Sequence, residues 1–298
     1  MRILFYADWP LSWPYLNPMY EYIKAKQPDW ELDRGYQGQA FEPLWSEKDY
    51  IFVTDEESHC PAKGTYVNLT HGLASKGQSW CSARKDTYLN YPGFINCPSE
   101  YYKKLLTDMG VSKDKLIVGG LTKFDFIGRI PQLRPIPKVL FAPTWNPELS
   151  AIAVLKDSIY EIPGVKVHLH SRSRSHSDAP QIYQKYSSGD ITQRILDSDI
   201  VIGDFGSVVL EAMALGRFVI QVANPNYVSW YAGKIPLEEM PGLPELAGWA
   251  HPVSGIEEIR SAIRGYPEKY IHSVFGTSTT IVENIGHASE VIYESLFG

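Results

Sequence analysis

Between residues 3 and 222 the chain alternates short apolar runs with stretches of helical periodicity, and that alternation admits few folds. Strands separated by helix-length segments do not pair as hairpins. They pair in parallel through crossover connections, which builds a doubly wound α/β sheet. Residues 3–7, 50–54, 66–70 and 94–97 read as strands, with helices expected over 18–26 and 99–109. Ser99 is placed to cap the second helix and Gly110 to end it. A further strand is expected to follow Asp114.

The alternation breaks once. Residues 129–137 contain Pro131, Pro135 and Pro137, which exclude regular structure and predict a stiff connector. It resumes with strands over 138–142, 165–169, 199–203 and 218–222, helices over 191–198 and 207–215, and a closing helix over 288–296. The expected organisation is therefore a Rossmann-like domain over 1–130, a linker over 131–137 and a second Rossmann-like domain over 138–298, with a cleft between the two. Ligands of such sheets sit beyond the carboxyl ends of the strands.

Composition narrows the function classes. A net charge of −6 argues against general nucleic-acid binding. Cys60, Cys81 and Cys97 are an odd number without metal-ligand spacing, and read as free thiols of a reducing compartment. The first residues turn polar too soon for a signal peptide, and no run approaches the roughly 18 apolar residues of a membrane span, so a cytoplasmic location is expected. No Walker lysine loop, G-x-S-x-G elbow or N-terminal G-x-G-x-x-G is present. The 13% aromatic content suits deep clefts or large interfaces, and equally a large core.

Three segments carry candidate chemistry. In residues 202–216 a strand ends at Asp204, a turn through Phe205 and Gly206 follows, and a helix begins near Ser207. Such a helix N-terminus attracts phosphate; Gly206 permits close approach, Ser207 adds a hydroxyl, and Glu211 one turn on can accept from ribose hydroxyls. The same pattern also fits an ordinary Ser-capped turn. Around Thr70-His71-Gly72 a strand runs into His71, a side chain suited to general-base work near neutral pH or to a structural role. Residues 166–176 concentrate His168, His170, Arg172, Arg174 and His176, either a diphosphate-binding cluster or a solvated basic loop. Thr144, Trp145 and Asn146 end the strand over 138–142, as ligand contacts or as a packed corner.

Taken in order, His71-Gly72, Pro98-Ser99-Glu100-Tyr101, Gly119 through Asp125, Ala142-Pro143-Thr144-Trp145, Leu169-His170 and Asp204-Phe205-Gly206-Ser207 with Glu211 resemble the CDP-glycerol glycerophosphotransferase family of teichoic-acid polymerases and primases. The resemblance spans about residues 66–216 and implies a GT-B fold, with an acceptor domain first and a nucleotide-donor domain second. It implies that His71 deprotonates the acceptor hydroxyl and that His170 stabilises phosphate charge or the leaving group. Gly206 and Ser207 would hold the diphosphate and Glu211 the ribose, with Gly72, Thr144, Arg172 and Asp204 completing the donor site. No metal and no cofactor is implied, the helix dipole and side chains neutralising the charge. The donor is a nucleotide-activated small molecule carrying a sugar or glycerol phosphate; the acceptor is open among a glycan, a polyol phosphate and a nucleic acid.

The chain departs from the family pattern at Leu73, Ala74, Ser171 and Gly206, and lacks the basic membrane-targeting helices of the polymerases. Gly206 also resembles the UDP-N-acetylglucosamine 2-epimerases, which leaves a UDP-sugar epimerase or hydrolase as one alternative and a non-catalytic nucleotide-binding protein as another.

Overall fold

The computed structural model describes residues 1–38, 47–55, 60, 62–73, 85–145, 150–170, 190–204, 206–222, 251–253, 255–266 and 281–298. They form two compact units. The first draws on Met1–Leu73, Arg84–Gly128 and Thr280–Gly298, the second on Arg129–Thr279.

In the first unit β1 (Arg2–Ala7), α1 (Trp13–Lys26), β2 (Glu31–Tyr36), β3 (Tyr50–Val53), β4 (Thr65–Asn68), α2 (Lys85–Leu89), β5 (Gly93–Cys97), α3 (Glu100–Asp108) and β6 (Leu116–Val118) follow in order. The strands pair in the order β2-β1-β3-β4-β5-β6, all parallel. Interior β1 is covered on both faces, which is why it is apolar at every position from Ile3 to Ala7. Ile3 and Phe5 pack with Leu16, Met19 and Ile23 of α1, while Leu4 and Tyr6 pack with Ile51 and Val53. The edge strand β2 is polar and largely exposed, and gives no apolar run to read.

Helix α1 begins five residues earlier than its sequence suggests, because Pro14 lies in the first turn, where a missing N–H costs no helical bond. Pro18 sits inside the helix, and the burial of Tyr15, Leu16, Met19 and Ile23 offsets the bond it forfeits. Residues 113–115 form a short 3-10 turn before β6 rather than joining the strand. Ser99 occupies the α3 cap position without a side-chain cap bond. The distant Glu283 carboxylate accepts from the Glu100 N–H instead, at 3.0 Å.

The second unit contains β7 (Val139–Phe141), α4 (Ala151–Leu155), β8 (Lys166–Val167), α5 (Ile191–Leu196), β9 (Ile200–Gly203), α6 (Ser207–Ala214), β10 (Phe218–Val222), β11 (His251–Val253) and α7 (Ile256–Arg264). Its strands pair in the order β11-β10-β9-β7-β8, again all parallel. Phe141, Ile200, Ile202, Phe218 and Ile220 form the centre of its core, against Leu155, Ile159 and Ile259. In this order the chain leaves β7 for β8 on one side and returns to β9 on the other. The switch point between β7 and β9 is where doubly wound sheets bind ligands.

The proline-rich segment is fastened to this second sheet. Buried Asp199 accepts from the Arg134 N–H at 2.9 Å, from Arg134 Nη1 at 2.8 Å and from the Lys138 N–H at 2.7 Å. Buried Arg217 donates through Nη2 to the Pro131 carbonyl at 3.0 Å.

The C-terminal helix α8 (Ala288–Phe297) belongs to the first unit, not to the second half it was expected to close. Ile292 and Tyr293 join the core around β1 and α1. The position of Gly119 explains the fit: a Cβ there would stand 2.3 Å from Ile292 Cγ1. Asp125 holds the start of α8 by accepting from the Ala288 and Ser289 N–H groups at 2.8 and 2.9 Å. Among the described residues no helix is long and apolar enough to cross a membrane.

Candidate functional site

The structure sorts the candidate residues into two sets, one in each unit. In the second unit β9 ends at Gly203, and the chain turns through Asp204 and Gly206 into α6. Gly203 must be glycine, since a Cβ would meet Val209 Cγ2 at 2.7 Å and the Ala142 carbonyl at 3.3 Å. This lets α6 lie close on the sheet. Gly206 is under no such demand: its backbone is ordinary extended (φ −85°, ψ 162°), and a Cβ would meet only Asp204 Oδ1 at 3.7 Å.

Gly206 is the N-cap residue of α6 and offers no side-chain acceptor to the first-turn amides. The first turn contains no acidic residue. The first N–H groups of a helix lack intrahelical partners, and the dipole adds positive potential there. Together these features make the carboxyl edge of β9, beside the switch point, receptive to an anion. Ser207 is partly exposed at the first helical position. Glu211 follows on the same helix but is only 2% exposed.

Asp204 is 1% exposed and its Oδ2 is engaged, accepting from the Thr144 N–H at 2.8 Å and the Ala151 N–H at 2.9 Å. It ties the exit of β7 to the start of α4, whose N-cap is Ser150, its Oγ accepting from the Ile152 N–H at 3.2 Å. Thr144 is buried beside it and Trp145 half-buried, while Asn146 lies outside the described residues. The ladder between β7 and β8 runs one residue past β8, with the His168 N–H donating to the Phe141 carbonyl at 2.9 Å. Leu169 then enters the core and His170 stays partly exposed. Arg172, Arg174 and His176 lie outside the described residues, as do Ala74, Ser171 and Cys81.

In the first unit, His71 is exposed on a segment whose neighbours Leu69, Thr70, Gly72 and Leu73 are all buried. Thr70 carries φ +68° and Gly72 φ +80°. Glycine adopts this conformation freely, whereas for a β-branched residue it is an outlier costing about 1–3 kcal/mol. The His71 ring lies 5.2 Å from that of Tyr15, and Lys123 Nζ lies 5.1 Å from the Tyr15 centroid. Tyr15 joins α1 to the turn after β6, since Thr122 Oγ1 donates to its carbonyl at 2.6 Å. Spacing along the chain gave no hint that Tyr15 meets both His71 and Lys123. Burial raises the Tyr102 phenol well above its ordinary value, and that hydroxyl donates to the Leu73 carbonyl at 2.9 Å.

No protein-family model and no curated protein sequence matches the chain. Solved structures do. The wall teichoic acid polymerase TagF is similar with a TM-score of 0.72 at 14% identity, covering 98% of this chain and 88% of its own. The UDP-GlcNAc 2-epimerase from Neisseria meningitidis bound to UDP-GlcNAc is similar with a TM-score of 0.58 at 15% identity, covering 99% of both chains. Anabaena HepE in complex with UDP and glucose gives 0.55 at 12% identity, again covering 99% of both. The α/β fold with two parallel sheets is of the GT-B class to which these neighbours belong.

Proposed function

We propose that the protein is a metal-independent GT-B transferase that moves a sugar or glycerol-phosphate group from a nucleotide-diphosphate donor to an acceptor hydroxyl. The observation that carries this reading is the start of α6. A glycine required neither by φ nor by packing caps a helix with no acid in its first turn, at the switch point of a parallel sheet. Negative charge is stabilised there by oriented amides. The fold neighbours support the reading, because they include structures with UDP, with UDP-GlcNAc and, for two TagF structures, with CDPG soaked in.

In this account Gly206 and Ser207 receive the diphosphate, with Thr144 and His170 of the same unit as further contacts. His71 takes the proton of the acceptor hydroxyl as its oxygen attacks. With CDP-glycerol the attack is on the β-phosphorus and CMP leaves; with a nucleotide sugar it is on the anomeric carbon and the nucleoside diphosphate leaves. Asp204 enters as the support of the loop after β7, because its Oδ2 is held by two amides. The same bonds weigh against an epimerase in which Asp204 would act on the sugar ring.

The test is ³¹P NMR of CDP-glycerol and of UDP-sugars incubated with the protein and candidate glycan or polyol-phosphate acceptors, in EDTA. Release of CMP or UDP that depends on acceptor and is lost in His71→Ala is expected. An epimerised sugar still attached to its nucleotide would favour the isomerase, and binding without turnover would favour a nucleotide-binding protein.

A further inference from the structure

We propose that Asn68 and Asn96 are positioning residues that hold Thr70 in its left-handed conformation and so fix the direction of His71. This rests on the reading of His71 as the base. Thr70 is held at two points. Its N–H donates to Asn68 Oδ1 at 2.8 Å, and its Oγ1 donates to the Asn96 carbonyl at 2.5 Å. The first bond spans two residues, a local turn that asparagine and aspartate side chains favour.

The Asn96 side chain extends the brace across the sheet. Its Nδ2 donates to the Leu69 carbonyl at 3.3 Å and the Gly120 carbonyl at 2.8 Å, and its Oδ1 accepts from the Gly119 N–H at 3.0 Å. Asn96 is therefore fully buried on β5 with its side chain bonded only to backbone, lacing the turn after β4 to the turn after β6. The second turn is constrained too: Gly120 has φ +86°, and a Cβ there would stand 2.2 Å from the Glu283 carbonyl. A β-branched residue persists in this conformation only where its surroundings over-determine it. The product of all this bracing is one exposed imidazole between buried neighbours.

The chemistry of the two positions separates positioning from simple stability. Asn68→Asp keeps the acceptor that the Thr70 N–H needs, Asn68→Ala removes it, and Thr70→Gly adopts a positive φ without any acceptor. In Asn68→Ala, kcat is expected to fall about 10- to 100-fold with the donor KM unchanged. The His71 imidazole resonances should shift or broaden. Asn68→Asp should restore both, and Asn68→Ala should cost less in a Thr70→Gly background. If Asn68→Ala does not fold, Thr70→Val is used instead, which keeps the β-branched strain but loses the Oγ1 bond to the Asn96 carbonyl, and broadening of the His71 resonances is the expected result.

Wild-type kcat and unchanged His71 resonances in Asn68→Ala, or in Thr70→Val where that is the variant available, overturn the proposal. The reading of His71 as the base fails separately, if His71→Ala retains full turnover. In that event the imidazole resonances of the Asn68 variants still decide whether the turn is positioned by them.

Discussion

The Asp204 carboxylate accepts from the Thr144 N–H at 2.8 Å, joining the carboxyl ends of β9 and β7 across the switch point of the second sheet. With the Ala151 N–H at 2.9 Å on the same oxygen, it satisfies two amides that lie some fifty to sixty residues away in sequence. Asp204→Ala leaves both without that acceptor and is expected to cost about 2–5 kcal/mol in urea unfolding. Asp204→Asn retains an acceptor oxygen and should cost clearly less. Equal losses in the two variants would show that the amide bonds are not what Asp204 supplies.

The two glycines flanking Asp204 are predicted to behave oppositely. A Cβ at Gly203 collides with Val209 and the Ala142 carbonyl, so Gly203→Ala is expected to destabilise by about 1–3 kcal/mol. At Gly206 a Cβ finds ordinary contact distance and a backbone that any residue adopts, so Gly206→Ala should stay within about 0.5 kcal/mol of wild type. Chemical denaturation of the pair checks this directly.

Burial raises the Asp125 carboxyl above its ordinary value of 3.8, against the opposing pull of the Ser289 and Ala288 bonds and of His287. The folded state thus favours the protonated form. Its contribution to stability is complete below the ordinary value and is lost as pH rises through the raised one. Asp125→Asn removes this titration, so unfolding curves of variant and wild type should change their separation only in the window just above pH 3.8. A constant separation through that window contradicts the assignment.

Burial pushes the Cys97 thiol up to about 12, and the nearby Lys103 offsets only part of the effect. At pH 8 about one molecule in ten thousand then carries the thiolate at this position. Alkylation of Cys97 by iodoacetamide is expected to be negligible in the native protein and rapid after unfolding, as read by peptide mass spectrometry. Rapid native labelling would mean that β5 is not closed over as described.

Much of the architecture was legible because parallel strands buried on both faces must be apolar. Ile200-Val201-Ile202-Gly203 and Ile3-Leu4-Phe5 declare themselves by composition alone. The edge strand Glu31–Tyr36 was not legible, because exposed residues leave no such run. Helix α7 carries a readable pattern, with Ile259 and Ala262 buried and Ile256 and Ile263 packed against the same core, and was missed for want of a flanking motif. At the candidate site, the turn into α6 followed from local sequence. The commitment of Asp204 to distant amides and the bond of the Thr70 hydroxyl to the Asn96 carbonyl did not, since both partners lie far along the chain, and nothing in the local pattern signalled the burial of Glu211. The same holds for α8, which the packing of Ile292 beside Gly119 and the Asp125 bonds to its first turn assign to the first unit.

In the proposed transferase the start of α6 receives a nucleotide diphosphate. This is tested most directly by thermal unfolding of wild type, Gly206→Val and Ser207→Ala with CDP, UDP, GDP, CDP-glycerol and nucleotide sugars. A ligand that binds only the folded state raises Tm, by about 2.7 kcal/mol of stability at a hundred times Kd. A shift is expected with one family of nucleotides, reduced in Ser207→Ala and abolished in Gly206→Val while the ligand-free Tm stays near wild type. No shift with any nucleotide at millimolar concentration, or the same shift in all three proteins, would contradict it.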